Sequence, residues 1–200
     1  MVLTPSTMLP LASPLPNFAL PVAGTGTNST IQSEQLPARP VLLMLLCSHC
    51  PFVKHIEAEL SRIDSDYSSQ ITLLGVASNS WLTHPQDGPE ALTAQAQRNG
   101  WRFPYLLDQD QTLAKALRAA CTPEFYLFAP EDNGTQTLRY RGQLDDSRPG
   151  QARPVDGHDL RAALEALLHN KAPDLKQKPS IGCNIKWHPG QEPQWFGETA

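Results

Sequence analysis

The spacing of apolar and polar positions changes period repeatedly along the chain. Val41 to Leu46 is an unbroken apolar run, and Phe52, Val53, Ile56, Leu60 and Ile63 follow at three- and four-residue steps. The first pattern predicts a buried strand over 41–46, the second a helix over about 52–65 with one buried face. Strands are predicted in the same way over 71–77, 105–108 and 124–129, and helices over about 89–99 and 112–119. Leu138, Tyr140, Gly142 and Leu144 alternate after a turn at 132–134, which predicts a hairpin partner for 124–129. Leu160, Leu164, Leu167 and Leu168 mark a last helix over about 157–169. Strands alternating with helices and closing on a hairpin predict an α/β domain, its mixed central sheet covered by helices on both faces.

The two ends read differently. Residues 1–17 carry prolines among scattered apolar positions and predict an irregular arm; Phe18 to Pro21 predicts a short strand, and 24–33 a Gly/Thr/Asn/Ser loop. The domain then spans 18–169, and 170–200 is a polar, proline-bearing tail. That tail still holds Ile181, Cys183, Ile185, Trp187, Trp195 and Phe196, so part of it, above all 179–188, is expected to dock on the domain. No internal repeat is evident.

Composition narrows the function. A net charge of -4 gives no electrostatic case for nucleic acid or an anionic membrane surface as partner. No apolar run approaches the roughly 18 residues of a membrane span. The N-terminal residues have no basic leader, so no secretory signal is expected. Four cysteines are too few for a secreted disulfide scaffold and predict a reducing, cytoplasmic setting.

The chemistry gathers at Cys47-Ser48-His49-Cys50-Pro51, where the buried strand hands over to a helix. Pro51 suits a first helical turn, and free N–H groups at a helix N-terminus favour a thiolate over a thiol. His49, when protonated, would act in the same direction. Cys47, as the more exposed first thiol, is expected to attack, and Cys50 to resolve. The same Cys-X-X-Cys could be half of a structural zinc site.

Thr122 and Pro123 precede the apolar run Phe125 to Phe128, about seventy residues further on. A strand–CxxC–helix unit followed by this Thr-Pro before a hairpin resembles the thioredoxin-like fold. More narrowly, FALP, CSHCPFVK, ACTPEFYLF, LRYRGQLDD and PSIGCNIKW resemble the peroxiredoxin-like branch of the alkyl hydroperoxide reductase/thiol-specific antioxidant (AhpC/TSA) superfamily. The resemblance implies a cis bond before Pro123, facing the dithiol, with the Thr122 backbone presented to a substrate. It also implies thiol–disulfide chemistry, with protein thiols or disulfides and a thioredoxin-type reductant as partners and with no cofactor. Peroxiredoxins place their peroxide-cleaving cysteine in a PxxxTxxC pattern. Counted back from Cys50, Leu43 and Cys47 stand at the proline and threonine positions; counted back from Cys47, Pro40 is matched but Met44 replaces threonine. Arg118, Arg139 and Arg141 fall in no matching pattern, so efficient peroxide cleavage is not expected.

Cys183 is expected to reach the dithiol as a third thiol, and Cys121 to be a small buried side chain near it. His55 is assigned to the surface, Trp81 and Trp101 to packing, and Asp145 and Asp146 to a solvated turn; the other histidines form no metal-like spacing among themselves. The alternatives to a thiol–disulfide oxidoreductase are a weak thiol peroxidase or antioxidant redox sensor, and a non-catalytic protein binding zinc or copper through its thiolates. The sequence leaves the oligomeric state open.

Overall fold

The computed structural model describes residues 3–24 and 29–196. Its centre is a five-stranded mixed sheet in the order β6 (Tyr105–Leu107), β5 (Thr72–Ala77), β4 (Val41–Leu45), β8 (Glu124–Pro130), β9 (Gln136–Gly142). β4, β5 and β6 run parallel, whereas β8 is antiparallel to β4 and β9 to β8. Every residue of β4 is buried, because the sheet is covered on both sides. Leu42, Met44 and Leu46 face the side holding α1 (Pro51–Tyr67), α2 (Pro89–Asn99) and α4 (His158–Leu168). Val41, Leu43 and Leu45 face α3 (Thr112–Ala116) together with Leu9, Leu20, Ile185 and Trp187.

The predicted core elements are present, with shifts at their ends. α1 extends to Tyr67, and α3 stops early, before Arg118 takes a left-handed φ of 50°. The arm and the first loop differ more. β2 (Ala19–Pro21) pairs with β3 (Thr30–Gln32), so the expected loop over 24–33 contains a strand; 25–28 lie outside the described residues. The expected irregular arm is bound to the fold by its backbone. β1 (Leu3–Pro5) is a strand, and Ala12, Ser13 and Leu15 exchange hydrogen bonds with Gln136 and Leu138 on the edge of β9.

A second sheet, in the order β1, β10 (Ile181–Asn184), β7 (Cys121–Thr122), joins the two ends of the chain to the site. β10 lies antiparallel between the other two, with Cys183 opposite both Leu3 and Thr122. Ile185 and Trp187 are buried behind it, so the segment 179–188 is docked. Among the described residues, no helix is long and apolar enough to cross a membrane.

Candidate active site

Cys47 follows the end of β4 by two residues, and Cys50 is the N-cap of α1 with Pro51 at the first helical position. The Thr122–Pro123 bond is cis. It turns Thr122 toward the two thiols: its carbonyl oxygen lies 3.3 Å from Cys50 Sγ, and its hydroxyl 3.4 Å from Cys47 Sγ. β10 completes the group from the other side, with Cys183 Sγ 2.9 Å from Cys50 Sγ. Gly182 makes this approach possible, since a Cβ there would stand 2.1 Å from the Thr122 carbonyl oxygen.

The electrostatics single out Cys50. Its sulfur receives the Cys183 and Cys47 thiols, the Val53 N–H and the Thr122 side chain, and these hold its pKa well below an ordinary thiol's against the opposing effect of burial. Cys47 is shifted up by its hydrogen bond to Cys50, by burial and by the nearby Asp87 carboxylate. Cys183 is shifted up by its hydrogen bond with Cys50 and by burial. The expectation that Cys47 is the more exposed of the two thiols is corrected by their burial. Both residues are fully buried, and the Val53 N–H at the start of the helix meets Cys50, whereas Cys47 lies three residues before the N-cap position. Cys121 is buried, with its sulfur 3.8 Å from the Pro123 carbonyl oxygen and 3.9 Å from Glu124, and burial raises its pKa.

Several polar residues that the sequence reading passed over frame the thiols. Asp87 is buried, accepts from the Ser48 N–H at 3.0 Å and from Asn79 at 2.8 Å, and lies 2.6 Å from His49 Nδ1. Burial opposes its ionisation, but His49, Asn79 and Ser48 together hold it below the usual carboxylate range. Gln95 donates to the Cys47 carbonyl oxygen at 3.2 Å and to Glu57 at 2.9 Å, which fixes the end of β4. Glu124 is buried just beyond Pro123; its carboxylate accepts from the Tyr126 hydroxyl at 2.6 Å and from the N–H groups of Ala120 and Cys121. Asp87 sits in no motif, and Glu124 lies within ACTPEFYLF without a sign of its role; only the folded chain brings Asp87 to the site.

Other assigned positions resolve as follows. Asp145, expected in a solvated turn, is buried and accepts from the N–H groups of Ser147, Asp156 and Gly157, ordering the approach to α4. His55 is half-buried against Ser147, and Trp101 is packed in the core. Arg118 stacks over Trp195, Arg139 pairs with Glu131, and Arg141 donates to Leu9 and Gln177. All three are thus engaged away from the thiols.

The sequence pattern of the AhpC/TSA family matches residues 11–141. An uncharacterized conserved protein from Geobacillus kaustophilus is 43% identical, with 95% of this chain and 98% of that one covered and a TM-score of 0.88. A hypothetical protein from Sinorhizobium meliloti is 37% identical over 94% of this chain and 100% of that one, with a TM-score of 0.86. A secreted Mycobacterium tuberculosis disulfide oxidoreductase homologous to E. coli DsbE shares the thioredoxin-like fold at 17% identity, with 74% of this chain and 95% of that one covered and a TM-score of 0.54. Among curated proteins, none matches the chain.

Proposed function

Starting from a chain that belongs to the AhpC/TSA family, we propose that it is a thiol–disulfide oxidoreductase whose CxxC dithiol, Cys47 and Cys50, works with Cys183 as a third thiol. The observation that carries this reading is the convergence of two thiols and a helix N–H on the buried Cys50 sulfur. The Cys50 thiolate attacks one sulfur of a substrate disulfide, forming a mixed disulfide and expelling the other sulfur as a thiolate. The Cys183 thiol then attacks Cys50, and its proton leaves with the second substrate sulfur. Two electrons pass to the substrate, and a Cys50–Cys183 bridge remains. Attack by Cys47 on Cys50 moves the bridge to Cys47–Cys50 and frees Cys183. A thioredoxin-type dithiol in a reducing, cytoplasmic setting would restore the three thiols. In this reading His49 and Thr122 act as positioning residues, and Pro123 holds the Thr122 carbonyl toward Cys50.

A second reading rests on burial. Cys47 and Cys50 are fully buried and Cys183 nearly so. A hydroperoxide is small enough to reach Cys50 with less opening than a protein disulfide requires, and a sulfenate there would condense with either neighbour. The two readings separate in one assay pair. Purified reduced protein is given a small aromatic disulfide or a hydroperoxide, with a thioredoxin system as electron donor. The leading reading expects sustained disulfide reduction that Cys50→Ser abolishes. Faster turnover of hydroperoxide than of disulfide would favour the second, and turnover of neither would overturn both.

A further inference from the structure

Beside the Cys50–Cys183 contact lies a second set of donors with a different composition. The Cys47 sulfur, a ring nitrogen of His49 and a carboxylate oxygen of Asp87 all lie within 4.8 Å of one another. We propose that these three residues form a binding site for one divalent ion of the zinc class, with its fourth position open to water. Two observations point to a ligand. His49 Nδ1 is sealed from solvent and pairs with Asp87 Oδ2 at 2.6 Å, so an imidazole nitrogen and a carboxylate oxygen are already held together beside the Cys47 sulfur. The carboxylate is meanwhile held in place by the Ser48 N–H and by Asn79, the outer support that fixes a metal ligand's orientation.

The donor set decides the class of ion. One thiolate, one imidazole and one carboxylate are the ligand types of zinc; copper(I) prefers sulfur without oxygen, and calcium and magnesium take oxygen alone. Tetrahedral zinc holds nitrogen and oxygen ligands at about 2.0–2.2 Å, roughly 3.4 Å from each other, so the His49–Asp87 approach need open by less than about 1 Å. Asp87 and Cys47 are buried, while the His49 side chain is 26% exposed, and this marks the entry side. Binding replaces the Cys47 thiol proton with the metal. The cluster of Asp146, His158 and Asp159 makes a useful contrast: the Lys178 ammonium already lies 3.1 Å from Asp146 and 3.5 Å from Asp159.

The test uses the full-length, reduced, metal-free chain and cobalt(II) as a spectroscopic stand-in, followed by displacement with zinc. The expected result is one equivalent bound, with a thiolate-to-cobalt charge-transfer band, visible bands of tetrahedral intensity and release of about one proton. Cys47→Ser should remove the charge-transfer band, and His49→Ala should weaken binding at least about tenfold. Cys183→Ser should leave both unchanged. Circular dichroism of each variant separates lost ligation from lost folding, and His49 is exposed enough for its alanine variant to fold. Failure to bind one equivalent would overturn the proposal. So would binding that survives His49→Ala and vanishes with Cys183→Ser, because the ion would then sit on Cys50 and Cys183. The readouts need no turnover, so they stand or fall separately from the redox reading.

Discussion

Cys50 Sγ and Cys183 Sγ stand 2.9 Å apart across 133 residues of chain. A disulfide needs about 2.05 Å between its sulfurs, so only a small movement accompanies bond formation once a substrate disulfide takes up the two electrons. The contact depends on three features meeting: a helix that begins at Cys50, a cis bond at Pro123, and a tail strand with glycine before its cysteine. In the proposed reading Cys50 carries the charge, its pKa held low by its hydrogen bonds with Cys183 and Cys47.

Cys50 should therefore stay reactive where ordinary thiols do not. With its pKa well below the usual thiol value, its rate of modification by a small alkylating reagent should be nearly flat between about pH 6 and pH 8. An ordinary thiol, with a pKa near 8.5, slows about tenfold per pH unit over that range. Peptide mapping after brief alkylation at pH 6 should find Cys50 modified first and Cys47, Cys121 and Cys183 largely intact. Modification led by Cys47 would reverse the roles.

Gly182→Ala should separate docking from chemistry. Its Cβ would collide with a backbone oxygen, 2.1 Å away, rather than with a movable side chain. The cost should reach about 1–3 kcal/mol, and each kcal/mol lowers the melting temperature by about 2–4 °C in a chain of this size. β10 would lift from β7, and alkylation of Cys183 should accelerate. An unchanged melting temperature with Cys183 still protected would contradict the docked arrangement.

Glu124 should leave a signature in the pH dependence of stability. Burial raises its pKa from the ordinary 4.5 to about 7 in the folded chain, against the hydrogen bonds it accepts. Between these values the folded state keeps a proton that the unfolded state has lost, so stability falls as pH rises from about 4.5 to about 7 and then levels off. The full effect is about 3 kcal/mol at 1.36 kcal/mol per pKa unit. Glu124→Gln should flatten that slope in denaturant titrations at pH 5 and pH 7.5. An equal slope in both proteins would show that Glu124 does not titrate there.

Much of this was legible in the sequence because local patterns carry it. The apolar run Val41 to Leu46, the step to Phe52 and Val53, and Pro51 at a helix start mark a strand–helix junction bearing Cys47 and Cys50. Apolar residues in a polar tail pointed to docking, and Ile185 and Trp187 are buried. What escaped depends on long-range pairing. Leu3 to Pro5 looks irregular alone and becomes a strand only because β10 offers it an edge. Asp87 carries no signal in the sequence and gains its place only when Ser48 and Asn79 surround it. The choice between Cys47 and Cys50 turned on which sulfur meets the helix N–H groups, a matter of one turn that spacing leaves open.

The central claim, that Cys50 is the shared sulfur of a reversible three-thiol centre, is tested most directly by a redox titration of the folded chain. The protein is equilibrated in buffers of graded thiol/disulfide potential, quenched with acid and mapped for disulfides by mass spectrometry. A single two-electron transition is predicted, with Cys50 in every oxidised molecule, bridged to Cys183 or to Cys47, and with Cys121 free throughout. Cys183→Ser should divert the bridge wholly to Cys47–Cys50. Bridges that exclude Cys50, or a chain that stays reduced until it unfolds, would contradict the account.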